Sequence, residues 1–302
     1  MLQQTNGTES DIFEFYQRNS TLFSGTASVV NGAFEIDFVV PKNINYQFGS
    51  GKMTFYAVRE DAATDAIGAS ADFILGGTDE NIQTDNQLPQ IRAFLNDTSA
   101  VRNYVIKPDV DLVLLLKDES GINISKSGIG QDITATLNDS ITFVLNDFYT
   151  TSLDDFTSGI VTFPMRDLPV GINELTLKAW DTHNNSNTTQ LIFEVTDENS
   201  STITEINAYP NPFINNMTFA IAHNSAGQSI EVVVEVFNQK GEKVTSIFQT
   251  NEEAGNIEQV TWNGTDNTGS TLPAGIYIYN ILLRSENTEI VHSTRHKLII
   301  SN

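Results

Sequence analysis

Short runs in which apolar and polar residues alternate recur from end to end of this chain, and no apolar i, i+3, i+4 spacing lasts beyond a turn or two. Phe34, Ile36, Phe38 and Val40 alternate with Glu35, Asp37 and Val39 before Pro41 stops the run. Leu175, Leu177 and Ala179 alternate with Thr176 and Lys178. Ile230, Val232, Val234 and Val236 alternate with Glu231, Val233 and Glu235, and Asn238-Gln239-Lys240-Gly241 then turns the chain. A period of two sends successive side chains to opposite faces, so each run predicts a half-buried strand. From Ile276 to Leu283 both faces are apolar except at Asn280, which predicts a central strand covered on each side. Short strands punctuated by Gly, Asn and Asp turns predict an all-β chain of tandem antiparallel Ig-like β-sandwich domains.

Two polar stretches break the pattern. Gly76 to Gln87 and Thr196 to Thr202 carry no periodicity and predict linkers. They divide the chain into residues 1–80, 85–197 and 203–302, the first expected to lack its N-terminal strands. A length of 302 residues suits that count, and 39% hydrophobic content with 18 Phe is enough for a core in each. The net charge of −22, from 38 acidic and 16 basic residues, repels nucleic acid and anionic membrane surfaces, so neither is expected as a partner. Cysteine is absent, which removes thiol catalysis, thiolate metal sites and disulfides together. No run approaches the ~20 apolar residues that span a bilayer, so direct membrane insertion is not expected. The start, Met1-Leu2-Gln3-Gln4-Thr5-Asn6, has neither a basic region nor an apolar core of a signal peptide, and the reading is that of a piece of a longer protein.

Several motifs invite chemistry. Phe48-Gly49-Ser50-Gly51-Lys52-Met53 has Tyr46 and Met53 where a phosphate loop needs Gly and Ser or Thr, so a hairpin loop is expected. Asp118, Glu119 and Asp132, and separately Asn263, Asp266 and Asn267, offer oxygen ligands for calcium, but neither has the alternating ligands ending in Glu of an EF-hand loop. The competing reading, solvated turns with Asx side chains bonding their own backbone, is preferred, and no cofactor is expected beyond a structural calcium. Asp181 and His183 form an Asp-His pair without a Gly-x-Ser-x-Gly nucleophile turn, and His223, His292 and His296 do not complete a metal set by spacing. Trp180, in a strand run, is expected in a sandwich core rather than as a glycan platform.

The last hundred residues hold the most distinctive motifs. Tyr209-Pro210-Asn211-Pro212-Phe213 opens them. Trp262-Asn263-Gly264-Thr265-Asp266-Asn267-Thr268-Gly269 follows, then Leu272-Pro273-Ala274-Gly275-Ile276-Tyr277, and Lys297-Leu298-Ile299-Ile300 closes them. Pro210 and Pro212 fix φ and remove donors, so the opening cannot be a central strand; Phe213 is read as its plug. These motifs resemble the C-terminal sorting domains of proteins exported by the type IX secretion system, which share an Ig-like fold with the flagellar hook-cap protein FlgD. The resemblance implies that Tyr209, Pro210, Asn211, Pro212, Phe213, Trp262, Gly264, Gly269, Gly275, Tyr277 and Lys297 form a sorting-domain motif.

Upstream, Leu88-Pro89-Gln90-Ile91, Phe94-Leu95-Asn96-Asp97, Lys117-Asp118-Glu119-Ser120-Gly121-Ile122-Asn123, Leu145-Asn146-Asp147-Phe148-Tyr149 and Leu175 to Asp181 with Asn184-Asn185-Ser186 resemble the region after the protease domain in the PorU family, the gingipain-like cysteine peptidases that act as type IX sortases. Phe34 to Pro41 and Phe48 to Lys52 add to the match. Gln131 departs from it, since His is expected before Asp132 and Ile133. The resemblance implies a non-catalytic scaffold behind a peptidase domain that carries the Cys and His. It also implies a place at the cell surface, associated with the outer membrane, with a β-barrel shuttle or anchor protein and the type IX machinery as partners. The alternative is a surface adhesin or other type IX cargo whose last domain is a sorting signal.

Overall fold

The computed structural model describes residues 2–4, 13–15, 21–44, 46–59, 64–78, 84–99, 104–197, 201–285 and 290–301. Parts of both expected linkers, 79–83 and 198–200, lie outside the described residues. The chain is all β, built as antiparallel Ig-like sandwiches, and its one short helical turn among the described residues is the 3-10 segment Asn146–Phe148.

The first segment contributes three small two-stranded sheets: β1 (Leu2–Gln4) with β2 (Phe13–Phe15), β3 (Gly49–Ser50) with β6 (Ile74–Leu75), and β4 (Met53–Val58) with β5 (Asp65–Ser70). The Gly-rich run at residues 48–53 is not the expected hairpin loop: Gly49–Ser50 is itself β3, paired with β6, and Gly51-Lys52 leads into β4, which pairs with β5, so the two strands it joins do not pair with each other. The alternating run from Phe34 to Val40 is not a strand. Alternation supplies two faces but no backbone partner, and the ladder bonds need one. Phe38 instead stacks on Phe23 with ring centroids 4.7 Å apart. The same stretch lies along the next domain: Ser28 N donates to Asp154 Oδ1 at 2.6 Å and Lys42 N to Thr182 O at 2.9 Å.

The middle sandwich holds β7 (Gln90–Leu95), β8 (Tyr104–Ile106), β9 (Val110–Lys117), β10 (Thr134–Leu137), β11 (Ile141–Val144), β12 (Tyr149–Ser152), β13 (Asp155–Met165), β14 (Gly171–Trp180) and β15 (Ser186–Val195). One sheet runs β11-β10-β14-β15-β8, the other β12-β13-β9-β7, and among the described residues only β15 with β8 pairs in parallel within these sheets. Their inner faces share one core that includes Leu95, Leu112, Leu114, Ile133, Leu175 and Leu177. On β14 the alternation is obeyed strictly, with Leu175, Leu177 and Ala179 turned inward. That leaves Trp180 on the opposite face, half-buried under Lys178 Nζ at 4.4 Å, and not in the core as expected.

The last sandwich holds β16 (Ile203–Tyr209), β17 (Met217–His223), β18 (Ile230–Phe237), β19 (Lys243–Asn251), β20 (Ile257–Trp262), β21 (Gly275–Ser285), β22 (Val291–His292) and β23 (His296–Ile300). The sheet β16-β17-β20 faces a sheet in which β19, β18 and β21 are adjacent and β21 also pairs with β22 and β23. β21 is central, as its sequence predicts. Only one of its faces is fully covered, by way of Tyr277, Tyr279, Ile281 and Leu283, while Ile276 on the other is exposed.

The two sandwiches meet through polar groups. Asp97 Oδ2 accepts from Asn256 N at 2.7 Å, Asn96 Nδ2 donates to Asn256 Oδ1 at 3.3 Å, and Asn224 Nδ2 donates to Thr196 Oγ1 at 2.9 Å. Burial alone raises the Asp97 carboxyl, but hydrogen bonds from Ser99 and Asn256 outweigh it and hold the group below its ordinary range.

Candidate functional site

β16 ends at Tyr209, an edge position, and the chain then bends through Pro210 and Pro212, both preceded by cis peptide bonds. The bend delivers Phe213 inward, where it is 1% exposed. Its backbone is held at both ends by the strand that follows Lys297 in sequence: Phe213 N donates to Ile299 O at 3.1 Å, and Ser301 N donates to Phe213 O at 2.8 Å. Asn211 extends the grip, since Ile299 N donates to its Oδ1 at 2.9 Å and its Nδ2 donates to Lys297 O at 3.1 Å. The Phe213 ring lies 5.5 Å from the ring of Trp262, whose Nε1 donates to Thr265 O at 3.0 Å.

Gly264 completes this clasp. It sits at φ +74°, in the left-handed region, and a Cβ there would come within 3.2 Å of the Phe213 ring. Tyr277 is buried nearby in sequence on β21, its hydroxyl donating to Pro273 O at 2.8 Å. Phe213, Trp262, Gly264 and Tyr277 are thus interior, with Asn211 as the hydrogen-bonding bracket. Tyr209, Pro210, Pro212, Gly269 and Lys297 are exposed and form no part of the interior. Gly275 has ordinary φ, and a Cβ on it would meet Tyr277 only at 3.8 Å, so the backbone does not demand glycine there.

Residues 211–286 match the family model described as the FlgD Ig-like domain. No curated protein sequence matches the chain. Among solved structures, the chain is similar to the dimeric latent PorU of Porphyromonas gingivalis, at 29% identity over 88% of this chain and 25% of that one, with a TM-score of 0.39. The chain therefore spans a quarter of the length of that structure. It is also similar to the fibronectin(III)-like modules of Clostridium thermocellum CbhA, at 11% identity over 69% of this chain and 93% of that one, with a TM-score of 0.26. A β-glucuronidase of Parabacteroides merdae matches at 7% identity over 70% of this chain and 24% of that one, with a TM-score of 0.29.

The loop at Asn263, Asp266 and Asn267 spends oxygens on the protein's own donors. Asp266 Oδ1 accepts from Thr268 N, Thr268 Oγ1 and Ser270 N at 2.8, 2.6 and 3.0 Å. Asn267 Oδ1 accepts from Ser246 N at 3.1 Å, and Asn263 Oδ1 from Thr265 Oγ1 at 2.8 Å. The Asp266 bonds form the Asx turn that competes with ion binding, and the Asn267 bond ties the loop to β19. The other set is not assembled as the sequence suggests. Asp118 meets neither Glu119 nor Asp132 but Asp85 and Asp181, one oxygen of each of these three lying within 4.8 Å of the others. Burial first, then the field of the two neighbours, holds the Asp118 carboxyl above its ordinary range; burial likewise raises Asp181, with Asp85 adding to it. His183 is tied to Asp181 through its backbone N, at 2.8 Å from Oδ1, while its Nδ1 faces Asp85 Oδ2 at 3.4 Å. Sequence reasoning missed Asp85, because it stands 33 and 96 residues from its companions and no spacing rule reaches that far.

Proposed function

We propose that this chain is the non-catalytic C-terminal region of a type IX secretion sortase of the PorU kind. Its last domain is the part read at the outer membrane. The observation that carries the reading is the clasp: Trp262 and Gly264 of the sorting-domain motif pack against Phe213 inside the sandwich that matches the FlgD Ig-like domain. The resemblance of the upstream motifs, from Leu88 to Ser186, supports the choice of a sortase as parent. The chain has no cysteine, so the parent's peptidase chemistry, removal of C-terminal signals from cargo and attachment of cargo to the surface, resides elsewhere. The domain supplies shape, and the exposed residues Tyr209, Pro210, Pro212 and Lys297 supply the face on offer to a β-barrel shuttle protein and the translocon.

The last sandwich has a core of its own, with no residue from the middle domain, so it is suited to transfer. Residues 202–302 fused to a periplasm-targeted fluorescent reporter, in a host with a working type IX system, are expected to bring the reporter to the surface. There it is cut by added protease, and Gly275→Pro, which removes a donor from a central strand, is expected to abolish this. A folded domain whose reporter stays periplasmic overturns the reading. Because the family match covers only 211–286, a surface adhesin with the same last domain gives the same result. The coding sequence upstream of Met1 separates the two: a peptidase domain with a Cys/His pair supports the sortase, and repeated sandwiches or lectin-like modules support the adhesin.

A further inference from the structure

Three loops of distant origin bring carboxylates to one place beside the middle sandwich. Asp85 precedes β7, Asp118 follows β9, and Asp181 opens the turn between β14 and β15. Asp118 is 3% exposed and Asp181 0%. Asp118 Oδ1 is satisfied by Ser120 N at 2.9 Å and Ser120 Oγ at 2.7 Å, but its Oδ2 is buried and receives no hydrogen bond. Asp85 Oδ2 is also buried without a donor in hydrogen-bonding geometry, its Oδ1 accepting from Gln87 N at 2.9 Å. Asp181 is held by His183 N, Asn185 N and Asn185 Nδ2, at 2.8, 2.7 and 2.7 Å. His183 Nδ1 faces Asp85 Oδ2 at 3.4 Å, and no Lys or Arg forms an ion pair with any of the three among the described residues.

A buried carboxylate oxygen keeps neither water nor a hydrogen-bond donor without cost, and three like charges together multiply it. Here Asp118 Oδ2 is left bare in a buried member of the cluster, while its sister oxygen and both Asp181 oxygens are fixed by well-formed bonds. The side chains are thus preorganised around a missing positive charge. We propose that Asp85, Asp118 and Asp181 bind a hard divalent cation, calcium, that fastens the chain ahead of β7 to the β9 and β14–β15 loops. Calcium takes oxygen ligands at about 2.4 Å, so two oxygens on opposite sides of one ion stand about 4.8 Å apart. One oxygen of each of the three aspartates lies within that reach of the other two. Magnesium demands a smaller, near-ideal octahedron and keeps its waters, which suits three loops of unrelated origin less well. Asn185 Nδ2 already donates to Asp85 O at 3.2 Å, so the ion strengthens a junction that the backbone has begun.

The test uses the full chain, stripped with EDTA and titrated with CaCl2 by isothermal titration calorimetry, with thermal melts in parallel. One site of sub-millimolar affinity and a rise in Tm with CaCl2 are expected. Asp118→Asn keeps the shape and the Ser120 bonds but removes the charge. It is expected to weaken calcium binding at least tenfold while melting in EDTA no lower than the parent chain. Absence of heat and of a Tm shift in the parent overturns the proposal, as does Asp118→Asn binding calcium with unchanged affinity. An equal rise with NaCl of matched ionic strength overturns the proposal in favour of plain charge screening, and an equal rise with MgCl2 but not NaCl overturns the choice of calcium.

Discussion

Gly264 and Gly275 belong to one run of motif residues, yet the fold asks different things of them. Gly264 lies at φ +74° against the Phe213 ring, so Gly264→Ala is expected to cost about 1–3 kcal/mol. Gly275→Ala finds ordinary backbone and only a van der Waals contact with Tyr277 at 3.8 Å, and is expected to stay within about 0.5 kcal/mol of the parent. Urea denaturation of the full chain, followed through Trp fluorescence, checks both; equal costs would mean that the clasp does not depend on close backbone approach. Phe213→Ala empties the centre of the clasp and is expected to cost about 3–5 kcal/mol by the same measurement. His223 sets an acid limit. It is buried, and Ser225 N donates to its Nδ1 at 3.1 Å; burial lowers its pKa to about 4. The neutral ring's contribution is therefore fully present above pH 6.5 and is lost as pH falls from there through about 4. Asp97, held below its ordinary 3.8, adds a second loss at lower pH. His223→Asn, which keeps an acceptor in place of Nδ1, is expected to remove the first step in melts taken between pH 7 and 4.

At the scale of elements, strands whose alternation is matched by a partner were legible before any coordinates. Ile230 to Val236 and Leu175 to Ala179 fall inside β18 and β14 with the predicted inward faces. Phe34 to Val40 shows why the same signal fails elsewhere: periodicity reports which side chains want burial, and says nothing of whether a neighbouring strand exists to complete the ladder. Trp180 fails for a related reason, because strand propensity is the same on both faces and one residue's offset decides which face is core. Of the site, the local parts were readable, namely the Pro-rich bend, the Gly turn and Trp262. The pairing of Phe213 with Ile300 and the meeting of Asp85 with Asp118 and Asp181 join residues far apart in the chain, and only folding brings them together. The terminal strand carries more than its length suggests. Leu298 and Ile300 are buried in the last core, so a chain ending at residue 295 is expected to lose the folded last domain, seen as loss of protease resistance there while the middle domain stays intact.

For the whole molecule, the separate cores and the polar junction at Asn256 make the last two sandwiches neighbours rather than one body. Asn256→Ala, which removes its side-chain bonds to Asn96 and Leu95, is expected to leave both folds intact but to separate their unfolding into two calorimetric transitions. A single unchanged transition would show that the junction carries no coupling. The clasp also has a meaning in time. Phe213 is synthesised more than eighty residues before the segment that grips it, and until Ile299 and Ser301 have left the ribosome its main chain lacks its partners. For that interval the domain is an unsealed shell, its core open where the terminal strand will lie. Its last few residues are what close it, because Leu298 and Ile300 complete the core and Ile299 and Ser301 hold the Phe213 main chain.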